Sequence, residues 1–393
     1  MIDIKQNLAQ KQLDHHCDKL VGWACSPPAT CDKWPDALRS VTADDVQTEL
    51  AAAPGHYSLK RLLVLVSAAA EDFLEEMAQF AHHLTVQRFG RTIQLYAPLY
   101  LSNFCRGTCL YCGYKAANEF ERTRLTIDEA VADADILASE GFRHILLVSG
   151  NDPEYITIDY LTALMEKLKA KFSSISVEIY AMSRVDYRKL FKAGIDGVTL
   201  YQETYDRKTY AHYHPAGPKS DYDYRLETPD RFASAGMRRL GIGVLLGLSD
   251  WRLECLALAE HADYLMKHYW QSQVSFSFAR LRPALNVGGE FEHLTSDRDL
   301  VQMMLALRLC FADAGIVLST RERADLRDRL VKLCVTRMSA GSKTNPGGYS
   351  GKLDSSEQFQ IDDTRTPAEV AGMIKSAGFE AVWKDWDTAF STK

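Results

Sequence analysis

No stretch of this 393-residue chain approaches the ~20 apolar residues that a membrane span needs. Runs such as Leu62–Ala70 and Leu240–Leu248 fall well short of it. The opening MIDIKQNLAQKQLDHH lacks the apolar core of a secretory signal, which predicts a cytoplasmic protein. A basic excess is missing too: 46 Lys+Arg stand against 52 Asp+Glu, a formal charge of −6, and that argues against a general nucleic-acid binder. No fixed short period recurs, so a solenoid is not expected. What the chain does have, 46% hydrophobic and 25% charged residues, suffices for a large buried core.

Nine cysteines without a secretory signal fit a reducing compartment, where thiols persist and bind metals. Cys255, Cys310 and Cys334 sit in apolar periodic segments and read as core residues, because free cysteine packs as a small hydrophobe. Cys17, Cys25 and Cys31, near His15 and His16, match no common zinc spacing and read as incidental thiols. The remaining three form one compact group, Cys105-x3-Cys109-x2-Cys112, inside SNFCRGTCLYCGY (102–114). Structural zinc takes four protein ligands, and no fourth Cys or His lies at finger spacing. Three thiolates suit a four-iron cluster better, since one iron then stays open to a substrate or cofactor. Gly107 and Gly113 let the short loop curl so that three side chains converge.

Residues 1–90 carry helical patterns, notably 59–90, and read as an N-terminal helical extension. From residue 92 short β-rich runs alternate with helical ones. The candidate strands are 92–102, 144–150, 176–182, 197–203, 240–248, 274–282, 316–322 and 335–342. The clearest helical runs between them are 126–141, 296–315 and 323–334, and Thr126 with Glu129 has capping-box spacing. Eight such units predict an α/β fold, a parallel (β/α)8 TIM-type barrel over 91–345, followed by a closing segment, 346–393. A doubly wound sheet would bring a glycine-rich dinucleotide turn, and none is visible. In a barrel the cysteine loop, Glu203, Arg280, Arg282, Ser319, Arg321 and Ser339 all fall at strand ends, around one mouth.

With an aromatic residue before its last cysteine, Cys105-x3-Cys109-Leu110-Tyr111-Cys112 resembles the radical S-adenosylmethionine (SAM) motif. More narrowly, the chain resembles the 2-iminoacetate synthase family of thiamine thiazole biosynthesis. The matching stretches are PLYLSNFCRGTCLYCGY (98–114), YQETYD (201–206), RLETPDR (225–231), LLGLSDWR (245–252) and HYWQS (268–272). LSTRE (318–322), SAGSKTNPGGY (339–349) and VWKDWD (382–387) continue the series, which spans roughly 85–388.

The resemblance implies a radical SAM barrel in which Cys105, Cys109 and Cys112 ligate a [4Fe-4S] cluster whose open iron is chelated by SAM. Reductive cleavage of SAM then yields methionine and a 5′-deoxyadenosyl radical. The radical takes hydrogen from the amino group of L-tyrosine, and the Cα–Cβ bond breaks to give 2-iminoacetate, p-cresol and 5′-deoxyadenosine. By the same resemblance Tyr111 packs beside the adenine, Arg321 binds the substrate carboxylate, and Tyr100 and Ser339 approach the substrate amino acid. Glu203 accepts hydrogen bonds from the SAM ribose or holds the charge balance of the site. Implied partners are a flavodoxin or ferredoxin reductant and the thiazole synthase subunit that consumes the unstable imine.

One departure stands out. The family carries Gly-Glu after strand two, whose glutamate holds the SAM amino group; here the residues are Gly150-Asn151-Asp152. Either the Asn151 amide oxygen or, by a one-residue shift, Asp152 takes that place. Other readings remain open: an aromatic-amino-acid lyase acting on tryptophan, or a non-catalytic iron–sulfur or zinc-binding scaffold. The tyrosine lyase of hydrogenase-cofactor assembly carries a second cysteine cluster near its C-terminus, whereas the last cysteine here is Cys334.

Overall fold

A computed structural model of the chain describes residues 33–288, 290–351, 353 and 355–385. Cys17, Cys25, Cys31 and Trp386 lie outside the described residues. Eight parallel strands, β1 (Thr92–Ser102), β2 (His144–Ser149), β3 (Ser174–Glu178), β4 (Gly197–Glu203), β5 (Arg239–Leu246), β6 (Gln273–Arg280), β7 (Gly315–Leu318) and β8 (Arg337–Ser339), pair in chain order. The ring closes on β1. Its first half, Gln94–Tyr96, pairs with Arg337–Ser339 of β8, and its second half, from Ala97 to Ser102, pairs with β2. A ninth strand, β9 (Glu380–Val382), lies parallel to Thr92–Gln94 at the start of β1. The strands read as near-continuous apolar runs because a parallel sheet wrapped by helices is buried on both faces.

The helices carry the end signals their sequences advertise. Thr126 accepts from the Glu129 amide while the Glu129 carboxylate accepts from the Thr126 amide at 2.7 Å, completing the capping box of helix Ile127–Ser139. The helices Leu59–Leu65 and Leu74–Phe89 pack outside the barrel helices Trp251–His268 and Asp297–Cys310. Those barrel helices are therefore covered on both sides, which is why Cys255 and Cys310 are fully buried free thiols, as is Cys334.

Several boundaries differ from the sequence expectation for local reasons. The helix expected over 296–315 ends at Cys310, because the buried Arg308 guanidinium collects the carbonyls of Phe311, Ala312 and Ala314, at 2.8–3.2 Å. Strand β3 starts two residues early, held by the Asp196 carboxylate, which accepts from the Ser174 hydroxyl at 2.9 Å and the Ile175 amide at 3.0 Å. Strand β7 stops at Leu318, where the Ser339 hydroxyl oxygen accepts from the Thr320 amide at 3.0 Å and turns the chain.

Candidate active site

One cavity opens where the barrel strands end, and its wall holds Cys105, Cys109, Cys112, Tyr111, Gly150, Asn151, Glu203 and Arg321. These are eight of the ten residues singled out in the sequence as catalytic, cofactor-binding or metal-ligating.

The cysteine loop leaves β1 and is stitched down by backbone bonds, Arg106 to the Asn151 carbonyl (3.1 Å) and Leu110 to the Tyr213 carbonyl (3.1 Å). Glycine is required at 150, where a Cβ would stand 2.2 Å from the Phe104 carbonyl oxygen, so the end of β2 can lie directly under the loop. At Gly113 a Cβ would meet the Gln358 carbonyl at 2.6 Å, so the C-terminal segment can press on the loop from the other side. Gln358 and Phe359 of that segment line the cavity. The NPGGY turn does not: Tyr349 donates to the Pro98 carbonyl of β1 (2.6 Å), and Pro346 and Gly347 are buried. Trp383 docks edge-on against Phe142, ring centroids 5.2 Å apart.

Cys109 is buried and Cys105 and Cys112 are half-buried. Burial, then the neighbouring cysteines, push the Cys112 thiol up to about 12, so iron binding there must displace a proton. Among the described residues no three Cys, His, Asp or Glu side chains converge as a single metal ion would need. Thiols spread around one loop suit a cluster, each holding a different iron.

Glu203 closes β4 with a left-handed φ of 72°, at a register break against β5. A non-glycine residue held there marks a position whose surroundings over-determine it. Its carboxylate is clamped by Lys219 and by Arg225, the latter at 3.3 Å. Burial would raise the Glu203 carboxyl, but these two cations outweigh it and hold the group below the usual range. Lys219 also donates to the Tyr111 hydroxyl at 2.9 Å, and that hydroxyl lies 2.7 Å from His214 Nε2. Because His214 Nδ1 faces the Tyr210 carbonyl at 2.8 Å, Nδ1 carries the hydrogen and Nε2 accepts from Tyr111. Burial, followed by Lys219, lowers the imidazole to about 3, so it stays neutral. The result is a directed buried chain from two cations to a carbonyl, with Glu203 and Tyr111 locked in place.

After β2, Asn151 faces the cavity and its buried amide oxygen has no hydrogen-bond partner among the described residues. Asp152 instead accepts from Arg106 at 3.1 Å and from the Glu154 amide at 3.1 Å, outside the wall. An orphaned buried acceptor beside the cysteines fits a group that brings its own N–H donors. Across the cavity the Arg321 guanidinium stacks 3.3 Å from the Phe359 ring centroid and makes no ion pair among the described residues. Its neighbour Glu322 pairs with Arg280 and Arg282 instead, and the Arg321 guanidinium makes only a long hydrogen bond to the Arg280 carbonyl, at 3.5 Å, among the described residues.

Two residues expected near the substrate stand behind the wall. Tyr100 is buried and donates to Gln358 Oε1 at 2.7 Å. Ser339 is buried under the turn that carries Arg321, bonded to the Thr320 amide. Arg282 does line the cavity, whereas Arg280 pairs with Asp297 at 2.8 Å outside it. The wall also contains residues that sequence reasoning did not single out: Glu178, Tyr201, Lys219, Arg225 and Gln358. Arg225 opens the quoted RLETPDR stretch, and that position was the available signal.

Comparison with known proteins agrees with this geometry. A model of the radical SAM superfamily matches residues 99–259, and a model of the biotin and thiamin synthesis associated domain matches 277–380. The chain is 42% identical over 360 residues to a 2-iminoacetate synthase of Salmonella typhimurium, covering 91% of this chain and 95% of that protein. It is 41% identical to one of Escherichia coli, over 89% and 93% of the two chains. Among solved structures it is similar to HydG, a maturase of the [FeFe]-hydrogenase, with a TM-score of 0.85 and 33% identity, over 90% of this chain and 80% of that one. Methylornithine synthase shares the fold, with a TM-score of 0.65 at 19% identity, over 89% and 97%.

Proposed function

Because the chain belongs to the 2-iminoacetate synthase family of radical SAM enzymes, we propose that it cleaves the Cα–Cβ bond of L-tyrosine. The products are 2-iminoacetate, for the thiazole moiety of thiamine, and p-cresol, with methionine and 5′-deoxyadenosine from SAM.

Arg321 carries this reading: a guanidinium with no ion pair among the described residues, braced on Phe359, faces the same cavity as the three cysteines. A planar fork of donors matches an α-carboxylate, and a charged hydrogen bond of this kind contributes about 1.5–3 kcal/mol. Cys105, Cys109 and Cys112 would hold the [4Fe-4S] cluster. Bound together, the cluster and SAM supply the one-electron chemistry that removes a hydrogen atom from the substrate amine. Asn151 offers its free amide oxygen to the SAM amino group in place of the family's glutamate. Glu203, fixed by Lys219 and Arg225, and Tyr111, fixed by Lys219 and His214, present prearranged surfaces to the nucleoside. Ser339 holds the Arg321 turn, and Tyr100 holds Gln358 against the loop. The strap carrying Gln358 and Phe359 narrows the mouth and keeps water from a reactive intermediate. A low-potential flavodoxin or ferredoxin supplies the electron, and a thiazole synthase subunit receives the imine before it hydrolyses.

Anaerobic incubation of the reconstituted protein with SAM, a reductant and either tyrosine or tryptophan tests this function. The expected result is four irons with sulfide per chain and p-cresol plus 5′-deoxyadenosine from tyrosine alone. A tryptophan-derived product or one bound zinc would overturn it. Cys109→Ala should abolish 5′-deoxyadenosine formation.

A further inference from the structure

An amino acid reaches the cavity as a zwitterion, and Arg321 answers only its carboxylate. The α-ammonium needs an acceptor, and a hydrogen atom leaves nitrogen far more readily from a neutral amine than from an ammonium. Two carboxyls face the cavity, Glu178 at the end of β3 and Glu203 at the end of β4. Glu203 is neutralised by Lys219 and Arg225. Glu178 forms no hydrogen bond or ion pair among the described residues, although it is half-buried in the wall. Among the charges acting on it, that of Arg321 is the strongest. A cation and an uncommitted carboxyl facing one cavity match the two charges carried by a single α-carbon.

We propose that Glu178 receives the α-ammonium of the substrate and takes one proton from it before the hydrogen atom is removed; this rests on the amino-acid lyase reading above. The step balances as a proton transfer: one N–H bond breaks, its pair stays on nitrogen as the amine lone pair, and an O–H bond forms on Glu178. No oxidant or reductant takes part.

The surroundings suit that task. Burial raises the Glu178 carboxyl and Glu203 adds to the rise, while Arg321, Lys219 and Arg225 oppose it, leaving it at about 7. A base is most effective when its pKa lies near the working pH. The phenols that feel its charge are Tyr96 and Tyr100 on β1, behind the wall, and Tyr201 on β4, in it. Burial first, and for Tyr100 and Tyr201 the Glu178 charge next, raises these phenols, so they stay neutral and do not compete as bases.

The test compares tyrosine with 3-(4-hydroxyphenyl)propanoate, which lacks only the amino group, binding to the SAM-loaded holoenzyme. Wild type should prefer tyrosine by about tenfold or more, the contribution of a charged hydrogen bond. Glu178→Gln should bring the two ligands to within about twofold while leaving SAM affinity and cluster absorbance intact. Glu178→Asp should keep part of the preference, which separates the chemistry from any folding defect. The acidic limb near pH 7 in wild-type kcat/KM should vanish in Glu178→Gln. Retention of the amine preference in Glu178→Gln, or loss of SAM affinity in its place, overturns the assignment. If wild type makes p-cresol and the preference persists, only the Glu178 role falls. If wild type makes none, the lyase reading falls and takes this role with it.

Discussion

At the residue scale, chemistry-bearing side chains divide by how much of their setting is local. Cys105, Cys109 and Cys112 are close in sequence, so their grouping is legible before any fold is known. Arg321 is different, because its meaning depends on what it does not touch: Glu322 adjoins it in sequence yet pairs with Arg280 and Arg282. Arg321→Lys keeps the charge but loses the planar fork, and should raise the tyrosine KM by about tenfold with the SAM KM unchanged. Steady-state kinetics with each substrate varied in turn checks this, and an equal rise in both would remove Arg321 from the tyrosine site. Asn151 offers a buried acceptor without a donor. Asn151→Glu should therefore preserve or tighten SAM binding in an anaerobic titration, and loss of binding would show a remodelled pocket. Glu178, Lys219 and Gln358 were not legible, because single polar residues carry no pattern. They acquire a role only by facing the same space.

At the element scale, strand and helix positions follow the hydrophobic period closely, and the ends follow side-chain accidents. The period places β1 and β4 at their observed bounds, 92–102 and 197–203. It misses the ends of β3 and β7, which are set by Asp196 and Ser339 from other parts of the barrel. The helix Trp251–His268 shows a further tertiary effect. Its Glu260 accepts a hydrogen bond from Tyr57, in the segment that leads into the outer helix Leu59–Leu65, and burial raises the carboxyl to about 7 from an ordinary 4.5. The folded state thus holds a proton that the unfolded chain releases between about pH 4.5 and 7, so stability falls as pH rises through that window. The loss is at most about 1.4 kcal/mol per pH unit. Glu260→Gln still accepts from Tyr57 and should flatten the fall, gaining on wild type in melting temperature between pH 5 and pH 7.5. A constant offset at every pH would show that Glu260 is not the group responsible.

At the scale of the whole molecule, the barrel gathers residues from seven strand ends and a C-terminal strap around one cavity. Among the described residues no helix is long and apolar enough to cross a membrane. Because cluster and SAM bind only a folded mouth, loading them should raise the melting temperature by several degrees in anaerobic calorimetry. A ligand at a hundred times its Kd adds about 2.7 kcal/mol, and an unchanged transition would contradict a shared site. The sequence by itself determined the barrel class and the cysteine group, because periodicity and short spacing are local properties of a chain. It also carried the family, since ordered motifs survive without coordinates. Only the tertiary structure decided that Asn151 and not Asp152 faces the cavity, that Arg321 has no ion pair among the described residues, and that Glu178 shares its space. Those are facts about which distant side chains neutralise one another, and burial makes each such pairing exclusive.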